Sequence, residues 1–182
     1  PYSHPAPAPR LSNHDRCYMC VEGELLEKDK RAVVKLTVHY DGGSKICTGT
    51  LVNNTAQDGK PYVITADHCI SGSHEARRTA FVFQYHNASC NTDPGSENFY
   101  INGSTYRASY YKTDFSIVEL HDRPPLSYRP YYAGWDISDQ YLDHVVCIHH
   151  PQGGPKKISL SAGTVTAKSY EDETREPLAF WN

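Results

Sequence analysis

The sequence lacks long apolar stretches and blocks of charge of one sign. No apolar run in its 182 residues is long enough to cross a bilayer, and the mean hydropathy is -0.62. Eighteen Lys and Arg residues oppose 21 Asp and Glu residues, which gives a net charge of -3 with no basic cluster. We therefore expect neither a membrane nor a nucleic acid among the partners of this protein.

Methionine is scarce, with one residue, whereas the chain has six cysteines and 14 tyrosines. Disulfides persist in oxidising compartments, where they supplement a core limited by an apolar fraction of 38%. The composition therefore predicts a secreted or periplasmic protein. Because the sequence starts at Pro1 without a signal sequence, we expect that an export segment has been removed.

Apolar stripes of helical period are also missing, apart from a candidate short helix at 21–29. Instead, short runs rich in Val, Ile, Tyr, Phe and Thr are separated by Gly, Asn, Asp and Pro turns, as in a small β-barrel. These candidate strands lie at 32–40, 45–52, 61–66, 80–86, 104–111 and 114–120.

The pattern of prolines and strands divides the chain into three parts. Residues 1–16 form a proline-rich N-terminal segment, and residues 17–125 contain the candidate strands of the first barrel. Residues 126–182 carry further candidate strands at 144–150 and 157–170, too few to close a second barrel. The length suits one domain or two small units that share an interface. The chain is therefore predicted to be all-β.

Two residues suggest hydrolytic chemistry. His68 follows an apolar strand in TADHC, and a rigidly held histidine at a strand end can act as a general base. Asp114 opens another apolar strand 46 positions later, where a carboxylate can orient an imidazole. The order His then Asp, with a serine expected later, is one of the chain orders in which the Ser-His-Asp triad occurs. The alternative interpretation is a structural histidine and a turn aspartate.

Several longer motifs point to one family. The chain resembles bacterial lysyl endopeptidases, which are secreted serine proteases with a chymotrypsin-like double β-barrel, from about Cys17 to its last residue. The motifs that carry the resemblance are CTGTLVNNT at 47–55, PYVITADHC at 61–69, TDFSIVEL at 113–120, YAGWD at 132–136 and IHHP at 148–151.

The resemblance implies roles for particular residues. His68 takes the place of the general base and Asp114 that of the orienting carboxylate, in a complete first barrel followed by part of a second. Two disulfides are implied, Cys47 with Cys69 and Cys20 with Cys90. Cys17 and Cys147 are then either free or paired with each other. A protein or peptide cut after Lys or Arg is the implied substrate, without a metal or organic cofactor.

The sequence departs from this family at the nucleophile. Enzymes of this class carry the serine in a GxSG-type loop whose backbone N–H groups form the oxyanion hole. No GxSG or GDSG sequence occurs in the chain. We therefore expect the nucleophile and the specificity pocket in a C-terminal remainder of the same protease, and no peptidase activity from these 182 residues alone.

Two rival functions remain open. A protein can keep the fold of an enzyme after losing its catalytic activity. An inactive homologue that serves as a binding or adhesion module is therefore the leading alternative. A metal-binding protein that uses the ten histidines is the weaker one. CYMC at 17–20 has no second CxxC, and adjacent strand residues such as His149 and His150 point to opposite faces, so neither pattern favours a metal site.

Overall fold

The computed structural model describes residues 26–87, 95–138 and 145–161, and the backbone of 167–172 and 175–181. Strands dominate these ranges, and their one α-helix, α1 (Ser73–Arg77), has five residues. The all-β prediction is therefore confirmed. The strands are β1 (Val33–Tyr40), β2 (Gly43–Val52), β3 (Tyr62–Thr65), β4 (Thr79–Val82), β5 (Tyr100–Asn102), β6 (Ser104–Tyr110), β7 (Phe115–Leu120), β8 (Val146–His149), β9 (Lys157–Leu160), β10 (Ala167–Asp172) and β11 (Arg175–Trp181).

Short 3₁₀ turns join several of the strands, at Asp29–Arg31, Tyr111–Thr113, Leu126–Tyr128 and Pro151–Gly153. Within the described ranges, no helix has both the length and the apolar character needed to cross a membrane. The candidate helix at 21–29 is a turn over 26–28 followed by one of these 3₁₀ turns, and its remaining residues lie outside the described ranges. The proline-rich segment 1–16 also lies outside them.

The first seven strands form one antiparallel sheet in the order β5-β4-β1-β2-β3-β7-β6. Alternation along the strands supplies its core, because successive side chains point to opposite faces of a sheet. Val34, Leu36 and Val38 on β1 are fully buried, as are Val63 on β3 and Val118 on β7. The sheet therefore has one continuous apolar face, as the sequence pattern predicts.

Gly103 joins the two edges of this sheet. The edge strands β5 and β6 are consecutive in the chain, with only this residue between them. Its N–H donates to Thr79 O at 2.8 Å, and its carbonyl accepts from His121 N at 3.2 Å. A side chain would not fit, because φ is +77° and a Cβ would lie 2.6 Å from His121 Nδ1. The sheet thus curls until its edges meet at this corner.

Two hairpin-like pairs follow the sheet. Strand β8 pairs with β9, and β10 pairs with β11, both antiparallel. The single strand expected at 157–170 is therefore wrong, since two strands share this region and each has a partner. The β8–β9 pair packs against the sheet, where His150 N donates to Thr48 Oγ1 at 3.0 Å and Lys156 N donates to Tyr85 O at 3.0 Å. The domain boundaries after residues 16 and 125 remain predictions.

Candidate active site

His68 lies in a tight turn directly after β3. The amide of Cys69 donates to Ala66 O at 3.1 Å, which folds the chain back beside the strand end. Cys69 is buried and forms a disulfide with Cys47 on β2. His68 itself keeps 66% of its side chain exposed. The backbone on its C-terminal side is therefore anchored while the imidazole faces solvent.

Asp114 reaches this turn because β3 and β7 run antiparallel. Thr65, the last residue of β3, pairs with Ser116 near the start of β7, so the residues just beyond these ends are neighbours. Asp114 adopts a left-handed conformation with φ of 52° after the 3₁₀ turn at Tyr111–Thr113. Its carbonyl accepts from Asp67 N at 3.0 Å. Local backbone geometry thus aims the carboxylate at the histidine turn.

The two side chains are in direct contact. Asp114 Oδ2 lies 2.6 Å from His68 Nδ1, and Asp114 Oδ1 accepts from the backbone N of His68 at 2.9 Å. Both distances lie in or near the range of charge-assisted hydrogen bonds. An ionised carboxylate only accepts, so Nδ1 carries the proton and Nε2 of the neutral ring does not. Two bonds from one carboxylate fix the position and the tautomer of the imidazole.

The remaining ring nitrogen is available for chemistry. Across the parts of the chain that the structure describes, His68 Nε2 has no hydrogen-bond partner, and the ring is mostly exposed. A neutral imidazole nitrogen with a free lone pair can take a proton from a hydroxyl group. The structure thus brings together the two residues proposed from the sequence, 46 positions apart, in an arrangement suited to general-base chemistry.

A second layer of polar contacts holds the backbone of the histidine turn. Lys45 Nζ donates to the carbonyl of His68 at 2.9 Å and to Glu75 Oε1 at 2.9 Å. Glu75 Oε2 in turn accepts from the backbone N and the hydroxyl of Ser71, at 2.7 and 2.9 Å. Lys45 and Glu75 were not among the candidate site residues expected from the sequence. Their separation of 30 positions gives no local sequence signal.

Metal ligation is a poor fit to this site. One group of three potential ligands occurs within the described ranges, formed by Cys47, His68 and Cys69, whose ligand atoms all lie within 4.8 Å of one another. The two sulfurs are bonded to each other, so they are not thiolate ligands. What remains is a single imidazole.

The paired histidines of the IHHP motif have separate environments. His150 is buried, stacks against the Tyr85 ring at 6.0 Å, and makes a 2.9 Å contact from Nδ1 to Gly154 O. Burial, followed by the charge of Lys156, lowers the pKa of His150 to about 3. His149 Nε2 lies 3.1 Å from Ser159 Oγ instead. The two rings therefore have different partners, as expected of structural histidines.

The disulfide predictions have different outcomes. The Cys47–Cys69 bond is present. The pairing of Cys20 with Cys90 lies outside the described residues, as does Cys17. Cys147 is an exposed free thiol on β8, so the unpaired alternative holds for it.

The class of fold follows from solved structures. The thermostable serine protease AL20 from an extremophilic microorganism gives a TM-score of 0.57 at 15% identity, over 78% of this chain and 68% of that one. The inactive form of a serine-to-alanine mutant of Rv3671c from M. tuberculosis gives a TM-score of 0.54 at 16% identity, over 94% of this chain and 66% of that one. The fold is that of chymotrypsin-like serine proteases.

The family is narrower than the fold. The model of the lysyl endopeptidase C-terminal domain matches residues 13–182, so the chain belongs to the lysyl endopeptidase family. It is similar to a lysyl endopeptidase of Pseudomonas aeruginosa, with 31% identity over 82% of this chain and 34% of the relative. It also resembles secreted RxLR effector protein 73 of Plasmopara viticola, with 30% identity over 75% of this chain and 35% of that protein. The chain thus spans about a third of the length of these relatives.

Proposed function

We propose that this chain is the histidine- and aspartate-bearing part of a serine endopeptidase that hydrolyses peptide bonds by acyl transfer. The observation that carries the proposal is the 2.6 Å contact between His68 Nδ1 and Asp114 Oδ2, which leaves Nε2 free at an exposed ring. Membership of the lysyl endopeptidase family supports it. His68 is the proposed general base, and Asp114 is the group that orients it.

In the proposed reaction, His68 Nε2 takes the hydroxyl proton of a serine as its oxygen attacks the carbonyl carbon of the substrate. Asp114 stabilises the imidazolium that forms. The imidazolium then gives its proton to the departing amine as the carbon–nitrogen bond breaks. Water attacks the resulting acyl-enzyme, again losing its proton to Nε2, and the serine is regenerated.

The serine of this reaction is proposed to come from the remainder of the same protease. No GxSG sequence occurs in the chain, and within the described ranges no hydroxyl bonds to His68 Nε2. We therefore expect residues 1–182 by themselves to lack peptidase activity. The C-terminal remainder is then an obligatory partner, because it also supplies the oxyanion donors.

The proposed substrate is a protein or peptide cleaved after lysine, with arginine as the alternative. This rests on family membership and on the Pseudomonas aeruginosa relative, which is a lysyl endopeptidase. The proposed location is outside the cytoplasm, either secreted or periplasmic. The disulfide between Cys47 and Cys69 supports export, because such bonds persist in oxidising compartments.

A second candidate function is a binding or adhesion module without catalysis. The missing GxSG sequence favours it, and so does the similarity to a secreted effector protein. Under this alternative, the His68–Asp114 contact is a remnant that holds the turn after β3. The two functions differ in whether His68 activates a nucleophile.

A serine-directed fluorophosphonate probe separates them. The full-length protease is labelled alongside its His68→Ala and His121→Gln variants, because His121 is exposed and lies outside the pair. We expect fast labelling of the wild type and the His121 variant and almost none of the His68 variant. Lysine and glutamate esters assayed in parallel test the side-chain preference. Equal labelling of all three proteins, or of none, would contradict the protease function.

A further inference from the structure

We propose that a cavity at the end of β1 binds an anionic group of the carboxylate or phosphate class. The cavity has a volume of about 430 Å³ and opens to solvent between the end of β1, the C-terminus of α1 and the start of β4. Arg77, Arg78, His39 and Asn102 are among the residues that line it. Nothing in the proposed reaction uses these residues.

The charge of the cavity is positive. Arg78 Nη1 donates to Asp41 Oδ1 at 2.7 Å and lies 3.0 Å from His74 Nε2, so one carboxylate and one guanidinium offset each other. The Arg78 hydrogen bond and then the nearby His74 lower the pKa of Asp41, which therefore stays ionised. Arg77 has no carboxylate partner among the described residues. Its charge is left for a ligand.

The residues that line the cavity carry several side-chain hydrogen-bond donors. A guanidinium carries five N–H donors, of which the contacts of Arg78 within the described ranges use only one nitrogen. The imidazole of His39 has at least one N–H donor, and the amide of Asn102 has two. Planar guanidinium groups pair with carboxylate and phosphate oxygens in a two-point geometry. This donor set fits an oxyanion better than a cation or an apolar group.

A short chain of contacts connects the cavity with His68. Tyr40 lines the cavity. Lys45 Nζ lies 5.5 Å from the centre of the Tyr40 ring. The same Nζ donates to the carbonyl of His68 at 2.9 Å. An acidic side chain of a peptide is one source of such an anion. A free inorganic anion has the same chemistry, and the experiment must distinguish these two sources.

The test measures anion binding and requires no hydrolysis. A negative binding result would therefore contradict the anion site without contradicting the proposed peptidase function. The full-length protein with His68→Ala is titrated with inorganic phosphate, with a glutamate-containing peptide, and with the same peptide carrying glutamine. Amide NMR shifts at Arg77, Ala80 and Asn102 report occupancy of the cavity. We expect saturable shifts with phosphate and the glutamate peptide and none with the glutamine peptide.

Three variants isolate the cause. Arg77→Gln is expected to weaken anion binding about tenfold or more, as for loss of a charged hydrogen-bond partner. Arg123→Gln removes the same charge beside Gly59, away from the cavity, and is expected to leave binding unchanged. Ala80→Leu keeps every charge but fills the cavity, and we expect it to weaken binding as well.

Tighter binding of the glutamate peptide than of phosphate would identify a peptide side chain as the ligand. Equal or tighter binding of phosphate would identify a free anion. Either result supports the anion site when Arg77→Gln weakens binding and Arg123→Gln does not. The absence of saturable shifts at the three amides with both anions would overturn the proposal, as would an equal effect of the two arginine variants.

Discussion

Lys45 holds the backbone of His68 through a hydrogen bond to its carbonyl oxygen. Its Nζ donates to the His68 carbonyl at 2.9 Å and pairs with Glu75 Oε1 at the same distance, with side-chain exposures of 31% and 17%. The lysine comes from β2 and the glutamate from α1, so the pair fixes the turn after β3 between two other elements. The orientation of the proposed base thus depends on residues outside the triad.

The first prediction concerns the loss of the Lys45–Glu75 ion pair. Lys45→Met leaves the Glu75 carboxylate without its cation and the His68 carbonyl without its donor. We expect a loss of about 1–3 kcal/mol in the free energy of unfolding, as for a partly buried charge that loses its hydrogen bond. Urea denaturation measures the loss. Lys60→Met, at an exposed lysine on the surface, is the control and should change stability little.

Glu75 also predicts a pH dependence. Burial raises its pKa, but hydrogen bonds from Lys45 and Ser71 outweigh burial and hold the pKa below the usual 4.5. A lowered pKa means that the carboxylate stabilises the fold above about pH 4.5 and loses this contribution as the pH falls further. Glu75→Gln is expected to make stability less dependent on pH below 4.5. An unchanged slope would contradict this account.

The second pH prediction concerns His150, which is buried in its neutral form with a pKa lowered to about 3. The unfolded chain takes up a proton near pH 6.5, whereas the folded chain does not until near 3. The contribution of neutral His150 to the free energy of unfolding is therefore fully present above pH 6.5. Below that pH it falls by roughly 1.4 kcal/mol per pH unit. His150→Gln should reduce this slope, and His74→Gln, at an exposed site, should not. Chemical denaturation at pH 7 and 5 compares them.

The surroundings of Gly49 leave no room for a side chain. A Cβ at this position would lie 2.7 Å from Val63 Cγ1 and 2.9 Å from Leu36 Cδ1, both in the buried core. Gly49→Ala is expected to cost about 1–3 kcal/mol through overpacking. Gly134→Ala is the matched control, since a Cβ on Gly134 would have no other atom within 4 Å among the described residues. Thermal unfolding of both variants tests the difference.

The strands with clear alternation could be predicted from the sequence, and all six runs correspond to strands β1–β4, β6 and β7. Strand β5 could not, because three residues are too few to show a period of two. The helix α1 was missed for the same reason, since five residues complete little more than one turn. The split of 157–170 depends on pairing with β8 and β11, which is tertiary information.

In the candidate site, too, some residues could be predicted from the sequence and others could not. The His68–Asp114 pair was accessible because each residue sits in a recognisable motif at a strand end. The contacts of Lys45 and the cavity lined by Arg77 were not, because they depend on which strands and turns meet in space. The partners of Lys45 lie on other elements, and charged surface residues carry no periodic signal. Sequence patterns thus located the proposed chemistry but not the residues that support it.

The most direct test of the central claim is the effect of Asp114→Asn on kcat/KM of the full-length protease with a lysyl peptide substrate. An amide keeps the size of the carboxylate and can still accept from the His68 backbone, but it no longer imposes the required tautomer. We predict a loss of about 10⁴-fold with unchanged thermal stability. Asp58→Asn, at an exposed carboxylate, should retain full activity. Activity of Asp114→Asn within about tenfold of the wild type would contradict the proposed role of the pair.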